Sequence, residues 1–549
     1  MRGYDRGWLR GDLIAGLTVW AVLVPEALAY ATIAGVSPVV GLYAAPGALI
    51  LYAAFGSSRH LVTGPMAATA ALSAAAVGDL AAGGSNEFVQ LTVTLALVVG
   101  IMALVAGLLR LGFLASFISE PVLKGFIVGL ALTIIVGQIP KLLGVPKTDG
   151  DFFEQLWGLL GHLGDIDGGT LLVGAASLAL VIGLREAAPA VPGTLVAVLL
   201  GIAAVQVFDL DRHGIEIVGH IEGGLPSFGL PDVSSDRYLD LAAVAGGVML
   251  VGFAEGLGAA KTYATKNRYD IDANRELIGL GTANLGAGLS SGMIVNGSLS
   301  KTAVNGSAGA NSQLSGLVVA VLTVITLLFL TALFEDLPEA TLAAVVIAAL
   351  IELVDFPALV RLYRFHTRGA GRALALAARP DFVAAIAALL GVLIFDTLPG
   401  LFIGIAASLL LLLYRASRPH IAVLGKDPGA ARWSDRQRHP DSEPATGIVV
   451  LRPESGLFFA NAEAIRQAIR AHAGDGTRAV VLDAETVPSI DVTAVAMLIA
   501  LADELADRGT ELVLARDVAG VRDLLATEEA TRIRTFPTVQ EAVDALRRP

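Results

Sequence analysis

The sequence predicts an α-helical membrane protein of about fourteen spans, two halves of seven in an inverted repeat, followed by a small soluble α/β domain. Three observations predict it. The chain has 549 residues, 55% of them hydrophobic and only 16% charged, and a mean hydropathy of +0.70, too apolar for a soluble globule. Apolar runs of roughly 17–25 residues, enough to cross a hydrocarbon core of about 30 Å, recur as far as Tyr414. Two of them, each the third of its half, are broken at matching places, Thr63-Gly64-Pro65 and Asn296-Gly297-Ser298. In lipid every backbone N–H and C=O needs an internal partner, so such breaks persist only where they are buried in protein or line a polar cavity. Paired interruptions at corresponding places in two halves mark an inverted-repeat carrier that holds its solute near mid-membrane.

The N-terminus carries Arg2, Arg6 and Arg10, and the apolar stretch from Leu13 runs into further spans without a small-residue cleavage site, so it reads as a retained first span. The membrane domain covers residues 1–418, with repeat one over about 10–208 and repeat two over about 240–415, on either side of the polar stretch 209–240. An odd number of spans per repeat turns the second half upside down. The basic residues agree: Arg59, Arg110 and Arg185, then Lys261, Lys266, Arg268 and Arg275, then Arg361, Arg364, Arg368 and Arg372, and last Arg415 and Arg418 fall on one side. The positive-inside rule makes that side cytoplasmic. The expected location is therefore the inner membrane, with both termini in the cytoplasm. The stretch 367–379 reads as a long loop without an assignable role. Residues 419–446, rich in Asp, Arg, Ser and Pro, read as a linker. Over 447–549, strands at 447–451, 479–483 and 511–514 alternate with helices at 462–473, 492–507, 518–525 and 539–547, the pattern of a small α/β domain. The chain contains no cysteine, which excludes disulfides and thiolate metal sites.

The breaks carry the candidate chemistry. Pro65 suits the start of a half-helix, because its missing N–H is unpaired in a first turn anyway. Ser298 or Ser300 can cap another half-helix whose first turn holds Lys301 and Thr302. Each start carries about +0.5 elementary charge, and inversion makes the two face each other, so an anion between them is held by backbone donors. A single break is as readily a kink; two in register favour a site. Lys301 adds positive field, since a charge inside a span needs a cavity or a partner. Glu255 lies well inside the eighth span among small residues that permit close helix approach, and is the candidate for carrying a coupling proton. Glu26 and Tyr30 share one face of the first span; beside an anion, Glu26 is protonated, bonded to a donor, or a cation ligand. Plain packing or a structural hydrogen bond is the competing account of each. The net charge of −12 repels anions at long range but is screened over about 10 Å at moderate salt, so anion affinity has to be local. No metal cluster, nucleophilic triad, phosphate-binding loop or nucleic-acid motif rises above chance. The chain reads as no enzyme, with no cofactor and no nucleic-acid partner.

At these residues the sequence resembles the sulfate permease (SulP) family of anion transporters, related to the solute carrier family that includes prestin and pendrin. The motifs are Asp12-Leu13-Ile14-Ala15-Gly16-Leu17-Thr18, Val24-Pro25-Glu26-Ala27-Leu28-Ala29-Tyr30-Ala31, Gly41-Leu42-Tyr43 and Gly56-Ser57-Ser58-Arg59-His60 with Gly64-Pro65. Ile271-Asp272-Ala273-Asn274-Arg275-Glu276-Leu277 and Gly297-Ser298-Leu299-Ser300-Lys301-Thr302-Ala303-Val304-Asn305 complete them. The tail is similar to the STAS domain that closes most members. The resemblance implies a seven-plus-seven inverted repeat, an elevator-like motion of helices one to four and eight to eleven against the other six, and a homodimer. It places the anion at Pro65, Met66 and Ala67 and at Ser298, Leu299 and Ser300, with first-helix contacts from Glu26 and Tyr30, a coupling acid at Glu255 and a basic residue at Lys301. Many members carry Gln at the position of Glu26 and Arg at that of Lys301, and Arg offers a bidentate geometry that Lys does not. In the tail, Ile490-Asp491-Val492-Thr493 resembles a phosphorylation loop but has valine after the aspartate.

The expected function is secondary transport of a small oxyanion, such as sulfate, bicarbonate or a dicarboxylate, driven by proton symport with Glu255 carrying the coupling proton. The alternatives are a sodium-coupled bicarbonate symporter, a nucleobase carrier, an uncoupled channel, and a membrane-anchored scaffold whose STAS domain reports anion occupancy to a cytoplasmic protein.

Overall fold

A computed structural model describes residues 4–547 apart from 79, 118, 149, 189–190, 352–353, 355–359, 361–371, 396, 430–431, 475 and 526–532. The chain divides into two compact units, Met1–Ser408 and Leu409–Pro549. The helical part begins with α1 (Leu9–Ile33), α2 (Pro38–Phe55), α3 (Ala67–Gly78), α4 (Asn86–Leu108), α5 (Glu120–Leu143), α6 (Phe152–Gly161), α7 (Gly168–Ala187) and α8 (Gly193–Phe208). It continues with α9 (Ser235–Asn267), α10 (Ala273–Leu289), α11 (Leu299–Ser307), α12 (Leu314–Phe329), α13 (Glu339–Ile351), α14 (Arg372–Phe395) and α15 (Thr397–Ser417). Among the described residues, 7 helices are both long and apolar enough to cross a membrane. Others are shorter. α3 and α11 have 12 and 9 residues, so at about 1.5 Å per residue each reaches only part of the way across. Both are half-helices, and the residues before each, Val62–Gly64 (β1) and Asn296–Ser298 (β2), are extended.

Packing repeats with element order. α2 lies on α10, α4 on α9 and α10, and α12 on α1 and α2; exchanging the halves maps each contact onto another of the set. α5 packs on α13 and α14, and α7 on α13, in a second group related in the same way. The first group is drawn tight by small residues: a Cβ on Gly41 of α2 would sit 2.0 Å from the Ala27 carbonyl oxygen of α1. Two buried carboxylates tie its loops. Glu276 in α10 accepts hydrogen bonds from the Tyr52 hydroxyl at 2.7 Å and from the Ser57 and Ser58 backbone N–H groups at 2.8 Å each. Asp12 in α1 accepts from the backbone N–H groups of Asn311 and Ser312 and from the Ser312 hydroxyl.

Two elements differ from the sequence reading. The amphipathic α6 lies in a stretch without a predicted helix; an Asp151–Glu154 capping box starts it, and Phe153, Trp157 and Leu160 project from it exposed. Of the predicted loop 367–379, residues 367–371 lie outside the described residues, while 372–379 are the first turns of α14, as their run of Ala and Leu favours.

The second unit is a six-stranded sheet in the order β4-β3-β5-β6-β7-β8: β3 (Ile421–Lys426), β4 (Trp433–Asp435), β5 (Ile448–Pro453), β6 (Ala479–Asp483), β7 (Glu511–Ala515) and β8 (Thr535–Phe536). β5 to β8 run parallel, whereas β3 pairs antiparallel with β4 and β5. The stretch read as a linker therefore supplies two strands; its polar composition masked the alternation Ile421, Val423 and Ala422, Leu424 that faces two cores. α16 (Ala462–His472) and α17 (Val492–Asp507) cover one face of the sheet, α19 (Val539–Arg547) covers the other, and α18 (Ala519–Leu525) precedes β8. Asp491, in the loop that resembles a phosphorylation site, is the N-cap of α17 and accepts from the Ala494 and Phe459 backbone N–H groups at 2.8 Å.

Candidate functional site

β1 and β2 pair antiparallel, with Val62 opposite Ser298, Thr63 opposite Gly297 and Gly64 opposite Asn296. The pairing satisfies backbone groups that the broken helices leave open, which is why the breaks survive inside an apolar unit. It also makes the chain leave for the two half-helices from opposite ends of a three-residue ladder, about 7 Å long at about 3.4 Å per residue. Ser298 caps α11 by accepting from the Lys301 backbone N–H at 3.2 Å. α3 begins at Ala67 rather than at Pro65; Pro65 and Met66 are buried and precede the helix, with the Met66 carbonyl accepting from the Ala70 N–H at 2.9 Å. Pro65 ends the strand instead, since its fixed φ suits extended backbone as well as a first helical turn.

Lys301 is 1% exposed and its Nζ lies 2.5 Å from Glu26 Oε2, itself 5% exposed at the side chain. The same Nζ stands 5.1 Å from the centre of the Tyr30 ring, within cation–π reach. The Lys301 stem passes Gly64, where a Cβ would come 3.9 Å from Lys301 Cε. So α1, β1 and α11 meet around one ammonium group. Ser300 is half-buried, and the Leu299 side chain is exposed, leaving its backbone as the part that belongs to the helix start.

Glu255 sits in α9, which packs on β2. A Cβ on its neighbour Gly256 would lie 3.1 Å from Asn296 Oδ1, so only a residue without a side chain lets α9 approach the strand so closely. Glu255 Oε2, Asn296 Nδ2 and Thr63 Oγ1 are all buried without a hydrogen-bond partner among the described residues. An unsatisfied buried polar group costs about 1–3 kcal/mol, and three of them around one short ladder mark a place built to receive an ion, a solute or water. Thr63 and Asn296 belong to the sequence breaks but are missed there as side chains; a polar residue within each apolar break is the signal that could have found them.

A cavity of about 280 Å³ opens beside the ion pair, lined by Thr18, Val22 and Glu26 of α1, Ser300, Ala303, Val304 and Ser307 of α11, Arg185 and neighbours of α7, residues 193–194 of α8, and residues 348–349 of α13. The first packing group forms one wall and the second the other. Arg185, read from sequence only as a marker of topology, brings a second cation to this cavity.

Compared with known proteins, residues 9–375 match the sulfate permease family and residues 439–542 match the STAS domain. A probable sulfate transporter of Mycobacterium tuberculosis is 38% identical over 100% of this chain and 97% of its own length. The structure of the murine Solute Carrier 26 family member A9 anion transporter, in its inward-facing state, superposes with a TM-score of 0.89 at 22% identity, covering 99% of this chain and 92% of that one. The transmembrane domain of BicA, a cyanobacterial bicarbonate transporter, gives a TM-score of 0.62 at 23% identity over 72% of this chain and 98% of its own. At these identities the two structures speak for the fold.

Proposed function

This chain belongs to the sulfate permease family, and we propose that it is a secondary transporter of small oxyanions, with sulfate as the first candidate, coupled to proton uptake. The observation that carries the reading is the β1–β2 ladder, which joins the segments that lead into the two half-helices, with the buried Lys301 in the first turn of α11. Backbone donors at helix starts bind anions without selecting among them, so the cavity beside them does the selecting. The name of the mycobacterial relative supports sulfate.

In the proposed cycle Glu26 holds Lys301 while the site is empty. A dianion arriving through the cavity takes over the ammonium, and Glu26, now beside a like charge, is protonated or turns aside. Removing one partner of a buried pair costs about 3–5 kcal/mol, so the empty site keeps its own counter-ion rather than a bare charge. Met66 and Ala67, led in by Pro65, supply the backbone donors with Ser298, Leu299 and Ser300, Tyr30 lines the approach, and Glu255 carries the coupling proton. The first packing group, helices one to four and eight to eleven of the repeat, moves against the second. We place the protein in the inner membrane as a homodimer with both termini cytoplasmic, the membrane domain ending near 418.

Sodium-driven bicarbonate transport is the second reading, favoured by the unpartnered Thr63 and Glu255 oxygens, hard donors of the kind that small cations take. Uptake into proteoliposomes decides. Glu255→Gln is expected to abolish accumulation driven by a pH gradient while leaving exchange of labelled sulfate; full pH-driven accumulation in that variant would remove Glu255 from the coupling role. Uptake that demands sodium and ignores the pH gradient would transfer the function to the second reading, and binding without any flux would leave an anion-sensing scaffold.

A further inference from the structure

The second unit carries a cleft that neither the transport reading nor the STAS match assigns. It lies where the parallel strands β5, β6 and β7 end, the edge at which open α/β sheets hold their ligands. Its volume is about 540 Å³, within the range of about 300–1,000 Å³ typical of small-molecule sites. Arg432, Arg438, Arg452 and Arg516 line it, with His439, against three carboxylates, Asp435, Glu454 and Glu485.

The carboxylates orient the arginines rather than cancel the site. Arg516 follows β7 at φ 58°, a left-handed conformation rare for a side-chain-bearing residue. Its guanidinium is held by the fully buried Asp483, with Nε 2.9 Å from Oδ1, and by Glu485 at 2.7 Å. Arg452 gives Nη2 to Glu454 at 3.1 Å, and its buried Nε has no partner among the described residues. Arg438 stands 3.8 Å from Asp435, and Arg432 3.4 Å from Asp427 outside the cleft lining. In the wall, Trp433 is only 7% exposed, and its indole Nε1–H meets no acceptor among the described residues. A buried indole N–H normally finds an acceptor. Two donors without acceptors beside a group of pre-aimed guanidinium forks describe a receptor for acceptor-only oxygens.

We infer that this cleft binds a tetrahedral oxyanion group, phosphoryl or sulfuryl, borne by a small molecule or free in solution. The inference is independent of the transport reading, because no residue is shared with the membrane unit.

The chain has 4 tryptophans, so replacing Trp8, Trp20 and Trp157 by Phe in the full-length protein leaves Trp433 as the sole reporter. Its fluorescence is titrated with inorganic sulfate, inorganic phosphate and ATP. A saturable change with at least one of them is expected, weakened about tenfold or more in the double variant Arg432→Gln/Arg438→Gln and retained in Lys301→Gln. The Arg432 and Arg438 side chains are 68% and 71% exposed, so their loss leaves the sheet intact, as an unaltered Trp433 emission maximum checks. Response to the inorganic ions makes the source a free oxyanion; response to ATP alone makes it an organic phosphoester. No saturable change with any of the three, or one indifferent to the arginine variants, overturns the inference.

Discussion

Lys301 and Glu26 are individually legible in the sequence, since a charged residue inside an apolar span demands a partner; that they are each other's partner is not. They lie 275 positions apart, and the tertiary fold packs α11 against α1. The pairing leads to an asymmetric prediction. Glu26→Gln leaves a buried ammonium with a weaker partner, at up to about 3–5 kcal/mol, so the variant should melt well below the parent. Added sulfate should then raise its melting temperature more than it raises that of the parent, because the anion no longer competes with a carboxylate and ligand binding stabilises by mass action. Lys301→Gln should lose this extra stabilisation, keeping only what sulfate contributes at the cleft of Arg432 and Arg438. Equal responses in the parent and Glu26→Gln would show that Glu26 and the anion do not compete for Lys301. Asp12 and Glu276 stood in the quoted motifs without a role, because loop-tying carboxylates are recognised only by the backbone N–H groups they meet, and those come from distant segments.

At the scale of elements, helix spans and the tail's α16, α17 and α19 follow from periodicity and capping, whereas starts and edges do not. Pro65 fits both the end of a strand and the start of a helix, so the start of α3 is fixed by β2, a partner the local sequence does not contain. β3 is likewise a strand by virtue of β5, and β4 by virtue of β3; in isolation their polar surroundings read as linker. The contact of α1 with α2 gives the test at this scale. Gly41→Ala puts a methyl against the Ala27 carbonyl oxygen, and such overpacking costs typically about 1–3 kcal/mol. Gly183→Ala in α7 meets no atom within 4 Å and should be neutral or stabilising by up to about 1 kcal/mol, through helix propensity alone. Thermal unfolding in detergent compares them, and the reverse order would mean that α1 and α2 are not held at this separation.

At the scale of the whole molecule, the two halves and the soluble tail are visible in hydropathy and charge, because burial in lipid constrains every span alike. Which way the site faces is invisible there, since it depends on how the two packing groups sit at one moment. The cavity answers it. Thr18, Val22 and Glu26 are spaced one turn apart on α1, and Ser300, Ala303 and Ser307 descend α11 toward its C-terminal end, with Arg185 near the C-terminal end of α7. From Glu26 to Thr18 is about 12 Å along the helix at about 1.5 Å per residue, all of it toward the ends that the positive-inside rule assigns to the cytoplasm. On the proposed topology, the cavity therefore leads from the Lys301–Glu26 pair to the cytoplasmic side. Because the chain has no cysteine, single cysteines report without background. Thr18→Cys and Ser307→Cys should react with a membrane-impermeant maleimide in inside-out vesicles and stay unlabelled in right-side-out ones, while Asp211→Cys in the 209–240 stretch does the opposite. Saturating sulfate should slow the labelling of Thr18→Cys, the position on the path to Glu26. If Ser307→Cys labels from the same side as Asp211→Cys, the cavity opens to the other face; if all three exchange sides, the topology is inverted; if neither cavity position labels from either side, the cavity is closed in the membrane and the anion takes another route.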